Sequence, residues 1–262
     1  MNLAVCIKQV PGTNKVEVDP VTGVLNRNGV ESKMNPYDLY AIEAAMRIKE
    51  KMNACVSVIT MGPPQAEAII KEAYSLGADK GYLITDRAFA GADVLATSKA
   101  ISEGLKKADK FDLIICGKQS TDGDTAQVGP EMSEWLNIPC ITNVTKIIDI
   151  TDKDITVERE ISTATQTVKL TFPCIICVEK DIYIPRLPSY LKKQATKDRE
   201  IGKITLNDLE DNNPKGYGLS GSPTQVQRIF PPQTNSDREM WNGTKDELSD
   251  RMHQKLKELK FI

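Results

Sequence analysis

The residues best suited to holding a ligand lie between Cys116 and Pro130, in the stretch CGKQSTDGDTAQVGP. It follows the apolar run Phe111 to Ile115 and concentrates small, hydroxyl and acidic residues where a surface helix would carry Lys and Leu. Gly117, Gly123 and Gly129 can bring backbone close to a ligand. The amides of Thr125, Ala126, Gln127 and Val128 stand where the next helix would begin, an arrangement suited to phosphate. Asp122 and Asp124 would repel a bare phosphate and are better placed to cap amides or meet hydroxyls. Gln119 and Ser120 complete the polar set.

Other candidate motifs fail on context. The only histidine is His253, on a terminal helical pattern, so a catalytic triad or a histidine metal site lacks its base or ligand. No catalytic residue and no metal site is assigned. Cys174 and Cys177 have C-x-x-C spacing, but they lie in the apolar strand PCIICV, where residues three apart face opposite sides. Gly216, Gly218 and Gly221 match G-x-G-x-x-G, yet DNNPK before them and SPTQ after them supply neither strand nor helix. GKQST lacks the upstream glycine of a P-loop. The pattern is that of a chain binding a group that brings its own chemistry.

The elements that must position these residues are legible as periodic runs. LAVCI, CVSVIT, GYLIT and FDLIICG alternate with helical patterns over Pro36 to Lys51, Pro64 to Leu76 and Asp93 to Ala108. That alternation predicts an α/β fold: a Rossmann-like, open twisted, mainly parallel sheet with helices on both faces. Asn35 can cap the first helix, with Pro36 in its first turn and Asp38 near its amide end. VEVDPVTGVLNRN reads as a hairpin around DPVTG. After Trp135, CITNVTKIIDI, DITVEREI, TQTVKLTF and CIICVEK follow one another without helices, which predicts an antiparallel extension. Residues 1–185 are expected to form the nucleotide-binding domain. Residues 186–262, rich in Pro, Gly, Asn, Ser and charge, form a C-terminal arm with a helix over Thr244 to Leu259.

In a parallel sheet the 116–130 loop falls at the carboxyl edge, where open α/β folds bind nucleotides. Two other loops share that edge and character: TMGPP, with Met61 and Gly62, and AFAGADVLATS, with Gly91, Asp93 and Thr97. Three such loops favour a single adenine-nucleotide crevice, its wall completed by Cys6 to Val10 and Asn35 to Asp38. With 34 basic against 36 acidic residues and a net charge of -2, no nucleic-acid footprint is indicated. The start, MNLAVCIKQV, is too short in apolar residues for a signal peptide or a membrane span, so a cytoplasmic protein with reduced cysteines is expected.

Taken together, VCIKQVP, MNPYDLYAIEAA, SLGADKGYLI, CGKQSTDGDTAQVGP and VEREI followed by FPCIICV resemble the β subunits of electron transfer flavoproteins. The likeness covers Met1 to about Lys197. It implies a heterodimer with an electron transfer flavoprotein α subunit and a nucleotide held at Cys6, Asn35 to Asp38, Met61 and Gly117 to Val128. NPYD and DGDTAQVGP look more like the electron-bifurcating members, which implies FAD reduced by NADH, with structural AMP as the alternative cofactor. The resemblance also implies a dehydrogenase partner, acting on an acyl-CoA or on lactate, and a low-potential carrier, ferredoxin or flavodoxin. PRLPSYLKKQATK matches the family's partner-recognition loop, with Leu187 as its anchor and Lys192 and Lys193 beside it. STATQ, from Ser162 to Gln166, departs from the acidic and glycine residues usual before that Gln. On the residues alone, a free-standing adenine-nucleotide-binding regulator stands as a further alternative.

Overall fold

A computed structural model describes residues 1–12, 17–18, 25–26, 32–225 and 238–262. In chain order the elements are β1 (Asn2–Cys6), β2 (Gln9–Pro11), β3 (Glu17–Val18), β4 (Leu25–Asn26), β5 (Ser32–Met34), α1 (Pro36–Met52), β6 (Cys55–Met61), α2 (Glu67–Leu76), β7 (Lys80–Ile84), α3 (Val94–Ala108), β8 (Leu113–Gly117), α4 (Val128–Leu136), β9 (Cys140–Ile150), β10 (Asp154–Ile161), β11 (Ala164–Thr171), β12 (Cys174–Val178), α5 (Tyr190–Ala195), β13 (Gly202–Ile204) and α6 (Lys245–Glu258). One nine-stranded sheet, ordered β11-β10-β9-β12-β8-β1-β6-β7-β13, organises the molecule. From β9 to β13 all neighbours pair in parallel, and β10 and β11 extend the sheet antiparallel.

The central strands are apolar on both sides because helices cover both faces. Leu3 and Val5 of β1 join the core that contains Ile42 and Met46 of α1 and Ile70 of α2. Ala4 and Cys6 join the opposite core, with Ile101 and Leu105 of α3 and Met132 of α4. The third expected helix begins within one residue of its predicted start, capped by Asp93, whose side chain accepts from Ala96 N–H. Pro64 to Ala66 form a 3-10 turn ahead of α2, and Gly77 ends that helix with φ 126°. Antiparallel pairing of Glu17–Val18 with Leu25–Asn26 matches the arms of the expected hairpin; its turn lies outside the described residues.

Two expectations need correction. CIICV does not continue the antiparallel extension: β12 inserts between β8 and β9, parallel to both. All five of its residues are buried, and such a run without alternation suits an interior strand better than a one-faced addition. Nor does Asn35 cap α1 with its side chain; that amide is used elsewhere, as described below. Cys174 and Cys177 do face opposite sides, one in each core. Burial pushes the Cys174 thiol up to about 12, a state unsuited to thiolate chemistry. All six cysteines are free.

Beyond residue 186 the chain adds β13 to the sheet edge beside β7 and sends Leu206, Leu209 and Tyr217 into the second core. GYGLSG forms two short 3-10 turns. Among the described residues no helix is long and apolar enough to cross a membrane, and no group of acidic, His or Cys side chains could hold a metal.

Candidate functional site

From β1 the chain builds outward through β6 and β7, then returns to place β8 on the other side of β1. The sheet order therefore reverses between β1 and β8, and such a switch point opens a crevice at the strands' carboxyl ends. Cys6 and Gly117 are the last residues of these two strands. The 116–130 loop and the start of α1 meet above them.

The meeting is made by buried polar contacts. Asn35 is 1% exposed, and its side-chain amide donates to the Gln119 carbonyl at 2.9 Å and to Asp38 Oδ1 at 2.9 Å. Its own oxygen accepts from the N–H of Thr121 at 3.2 Å. Asp38 Oδ2 accepts from the Lys8 N–H at 2.7 Å, fixing the end of β1 to α1. Burial pushes the Asp38 carboxyl up to about 7, against the opposing pull of the hydrogen bonds from Asn35 and from the Lys8 N–H. An added Cβ at Gly117 would stand 2.6 Å from Asp38 Oδ1 and 2.8 Å from the backbone of Tyr37, so glycine is required for α1 to close on β8.

Within the loop the acids are engaged by neighbouring side chains. Lys8 Nζ reaches Asp122 at 2.7 Å and Ser120 Oγ at 3.3 Å. Burial alone would raise Asp122, but the Lys8 ammonium holds its carboxyl below the usual range. Gln119 Nε2 donates to Asp124 Oδ1 at 2.9 Å, and Lys118 Nζ is paired with Glu179. The N–H groups of Thr125, Ala126 and Gln127 find no acceptor among the described residues. Asp124 and Ala126 have φ of 50° and 53°, a left-handed conformation that is rare for alanine and characteristic of constrained functional loops. α4 starts at Val128, two to three residues after the expected onset.

The glycines divide differently from expectation. Gly129 is needed for packing, since a Cβ there would run into Cys177 Sγ. Gly123 has ordinary backbone, and a Cβ would meet only Ser120 Oγ at 3.4 Å, so tight folding does not depend on it. Beside the loop lies a cleft of about 360 Å³ lined by Pro11, Lys33, Tyr37, Gln119, Thr121 and Asp124. Lys33 has no place in the sequence reading, and Lys8 and Tyr37 fall inside the wall segments Cys6 to Val10 and Asn35 to Asp38 without a role of their own. The quoted VCIKQVP and NPYD contain two of them, but nothing in a periodic pattern says where a lysine tip will reach.

Met61 and Gly62 end the next strand, where Gly62 N–H donates to the Ile84 carbonyl at 3.1 Å. Gly91, Asp93 and Thr97 share no hydrogen bond with the Asn35–Asp38 cluster among the described residues. Residues 217–224 fold over their loop: Asp93 Oδ2 accepts from the N–H and hydroxyl of Thr224 at 3.0 and 2.7 Å, and its own N–H donates to Ser222 Oγ. Most of the hydrogen-bonding capacity of Asp93 is thus used inside the chain.

The loop from Ile184 to Ala195 is held at its root. Arg186 bonds Glu43 through Nε at 2.8 Å and Glu50 through Nη1 at 2.7 Å, and the Ser189 N–H donates to the Ser75 carbonyl at 3.1 Å. Leu187 is 87% exposed, with Ile184, Tyr190 and Leu191 also in solvent, and Lys192 and Lys193 lie on α5. STATQ lies at the β10–β11 turn, with Ser162 and Thr163 at the tip, away from the crevice.

Comparison with known proteins gives this architecture a family. Residues 22–209 match the model of the electron transfer flavoprotein domain. The chain is 43% identical to the electron transfer flavoprotein subunit beta of Thermoanaerobacterium thermosaccharolyticum over 98% of both chains. It is 42% identical to the caffeyl-CoA reductase-Etf complex subunit CarD of Acetobacterium woodii over the whole of each. With protein FixA of Azotobacter vinelandii it shares 40% identity over 91% of this chain and 86% of that one. A crevice at a sheet reversal and likeness along the full length lead to one conclusion: the chain belongs to the electron transfer flavoprotein family, as a beta subunit.

Proposed function

We propose that this beta subunit is of the electron-bifurcating type and holds FAD in the crevice between β1 and β8. The observation that carries the reading is the run of N–H groups from Thr125 to Gln127 without acceptors among the described residues. They lie beside acids already engaged by Lys8 and Gln119. Such a donor set fits a pyrophosphate, because amides are free while carboxylates are turned aside. Tyr37 and Pro11 in the adjoining cleft offer apolar surface to a ring. When bound, the flavin would supply the chemistry of accepting hydride from NADH and passing electrons singly. The chain's own part is to cradle phosphates on backbone, orient the dinucleotide and keep loop carboxylates from opposing it.

In this reading the partners are an α subunit, a flavin dehydrogenase and ferredoxin or flavodoxin, all in the cytoplasm. The name of the Acetobacterium relative, a subunit of a caffeyl-CoA reductase complex, supports a partner acting on a coenzyme A ester; a lactate dehydrogenase is the other candidate. Leu187 would enter the dehydrogenase, with Lys192 and Lys193 flanking it. Family membership sets aside the free-standing regulator. Extraction and counting of nucleotides from the purified heterodimer tests the assignment: two FAD are expected, whereas one FAD and one AMP identify the ordinary, non-bifurcating form.

A further inference from the structure

We propose that Asn35 and Asp38 are positioning residues for the cofactor loop, and that their side chains do not touch the cofactor; the inference rests on the crevice reading above. The resemblance to the family places both among the nucleotide contacts, but both donors of the Asn35 amide and each carboxylate oxygen of Asp38 are already engaged within the chain. Both hydrogens of the Asn35 side-chain amide are donated, one to the Gln119 carbonyl and one to Asp38 Oδ1, and its oxygen accepts from Thr121 N–H. Its backbone N–H donates to the Lys8 carbonyl at 2.9 Å. Asp38 gives its second oxygen to Lys8 N–H at 2.7 Å. At 1% and 5% exposure neither residue presents surface to a ligand.

The pairing has a simple logic. A carboxamide carries the donor and acceptor of a peptide group, so Asn35 offers the loop what a neighbouring strand would offer: a donor for the carbonyl of residue 119 and an acceptor for the N–H of residue 121. In its ionised form a carboxylate only accepts, and in that form Asp38 dictates which end of the Asn35 amide faces it and which end faces Thr121. Pro36 holds Asn35 in extended backbone, φ -57° and ψ 128°, which sets the direction of the side chain. Gly117 leaves no Cβ between the strand end and Asp38. The chain of contacts from β1 through Lys8, Asp38 and Asn35 to Gln119 and Thr121 thus fixes the loop, and through it the amides of Thr125 to Gln127, before any ligand arrives. A hydrogen bond donated by the Asn35 side chain to a cofactor would have to break one of these bonds.

The test uses the heterodimer stripped of nucleotide, with two readouts: hydrogen exchange across residues 117–127, and equilibrium binding of FAD and of AMP. Asn35→Ala should raise loop exchange at least tenfold and weaken FAD binding at least tenfold. Asn35→Asp keeps an acceptor for Thr121 but sets two carboxylates against each other, and should weaken binding similarly. Adding Asp38→Asn to Asn35→Asp restores one donor between the pair and should recover part of the loss, which a merely space-filling role would not do; the Gln119 carbonyl still lacks its donor. Loss of FAD affinity with unchanged loop exchange, or no recovery in the exchanged pair, would overturn the proposal. Increased exchange with unaltered affinity for both nucleotides would uphold the positioning role and overturn instead the crevice reading on which it rests.

Discussion

At the carboxyl edge, polar side chains are answered within the chain: the buried Asn35 by Gln119, Thr121 and Asp38, and the exposed Asp122 by Lys8 and Asp124 by Gln119. In the loop from Ile184 to Leu191 the opposite holds. Its charged root, Arg186 on Glu43, is satisfied, while Ile184, Leu187, Tyr190 and Leu191 stand exposed. The first region is held by bonds within the chain and leaves the N–H groups of Thr125 to Gln127 free among the described residues, which suits a small anionic ligand. The second leaves apolar area unburied, and area of that kind is stabilised only by another surface. The contrast separates what folding completes from what assembly completes.

The largest effect that could break this contrast is at Gly117. Gly117→Ala should destabilise the chain by about 3 kcal/mol, because the new methyl meets the backbone of Tyr37 and the buried Asp38 carboxyl, neither of which can move aside. Gly123→Ala, six residues on, should stay within about 0.5 kcal/mol. Thermal or denaturant unfolding of the two variants checks the pair, and equal losses would mean that closure of α1 on β8 is not the constraint.

A smaller effect is expected at the other region, and of another kind. Leu187→Ala should leave the chain's stability within about 0.5 kcal/mol, since the side chain is already in solvent. It should weaken docking to the dehydrogenase by about 1 to 3 kcal/mol, the contribution of an apolar anchor filling a partner's pocket. Titration of the dehydrogenase against wild-type and variant heterodimers measures this directly. A drop in melting temperature with unchanged docking would place Leu187 in the fold and not in the interface.

How far these features could be read from the residues depends on the range of the forces involved. Helix and strand periods of the first half, the start of the third helix near Asp93 and the opposed faces of Cys174 and Cys177 are local, and the pattern announces them. The place of β12 is not local: CIICV pairs with β8 and β9 through a crossover that no turn signal marks, and only its unbroken burial hints at an interior strand. At the candidate site the loop is legible as an unusual composition, and its acids read as capping amides or meeting hydroxyls, whereas Asp122 is met by the Lys8 ammonium and Asp124 by the Gln119 side-chain amide. The identity of those partners was not visible, because Lys8 and Asp122 are 114 residues apart and Asn35 and Gln119 are 84 apart. Gly123 reads as a position of special backbone because it is a glycine in a ligand loop, yet the left-handed residues are Asp124 and Ala126.

The claim on which the rest depends is that the free amides after the loop hold the cofactor's phosphates, and hydrogen exchange of the stripped heterodimer with and without FAD tests it most directly. FAD should slow exchange at Thr125, Ala126 and Gln127 by tenfold or more, while leaving the 217–224 segment over Asp93 unchanged. Saturation of the heterodimer's second FAD site with no protection at Thr125 to Gln127 would contradict the account.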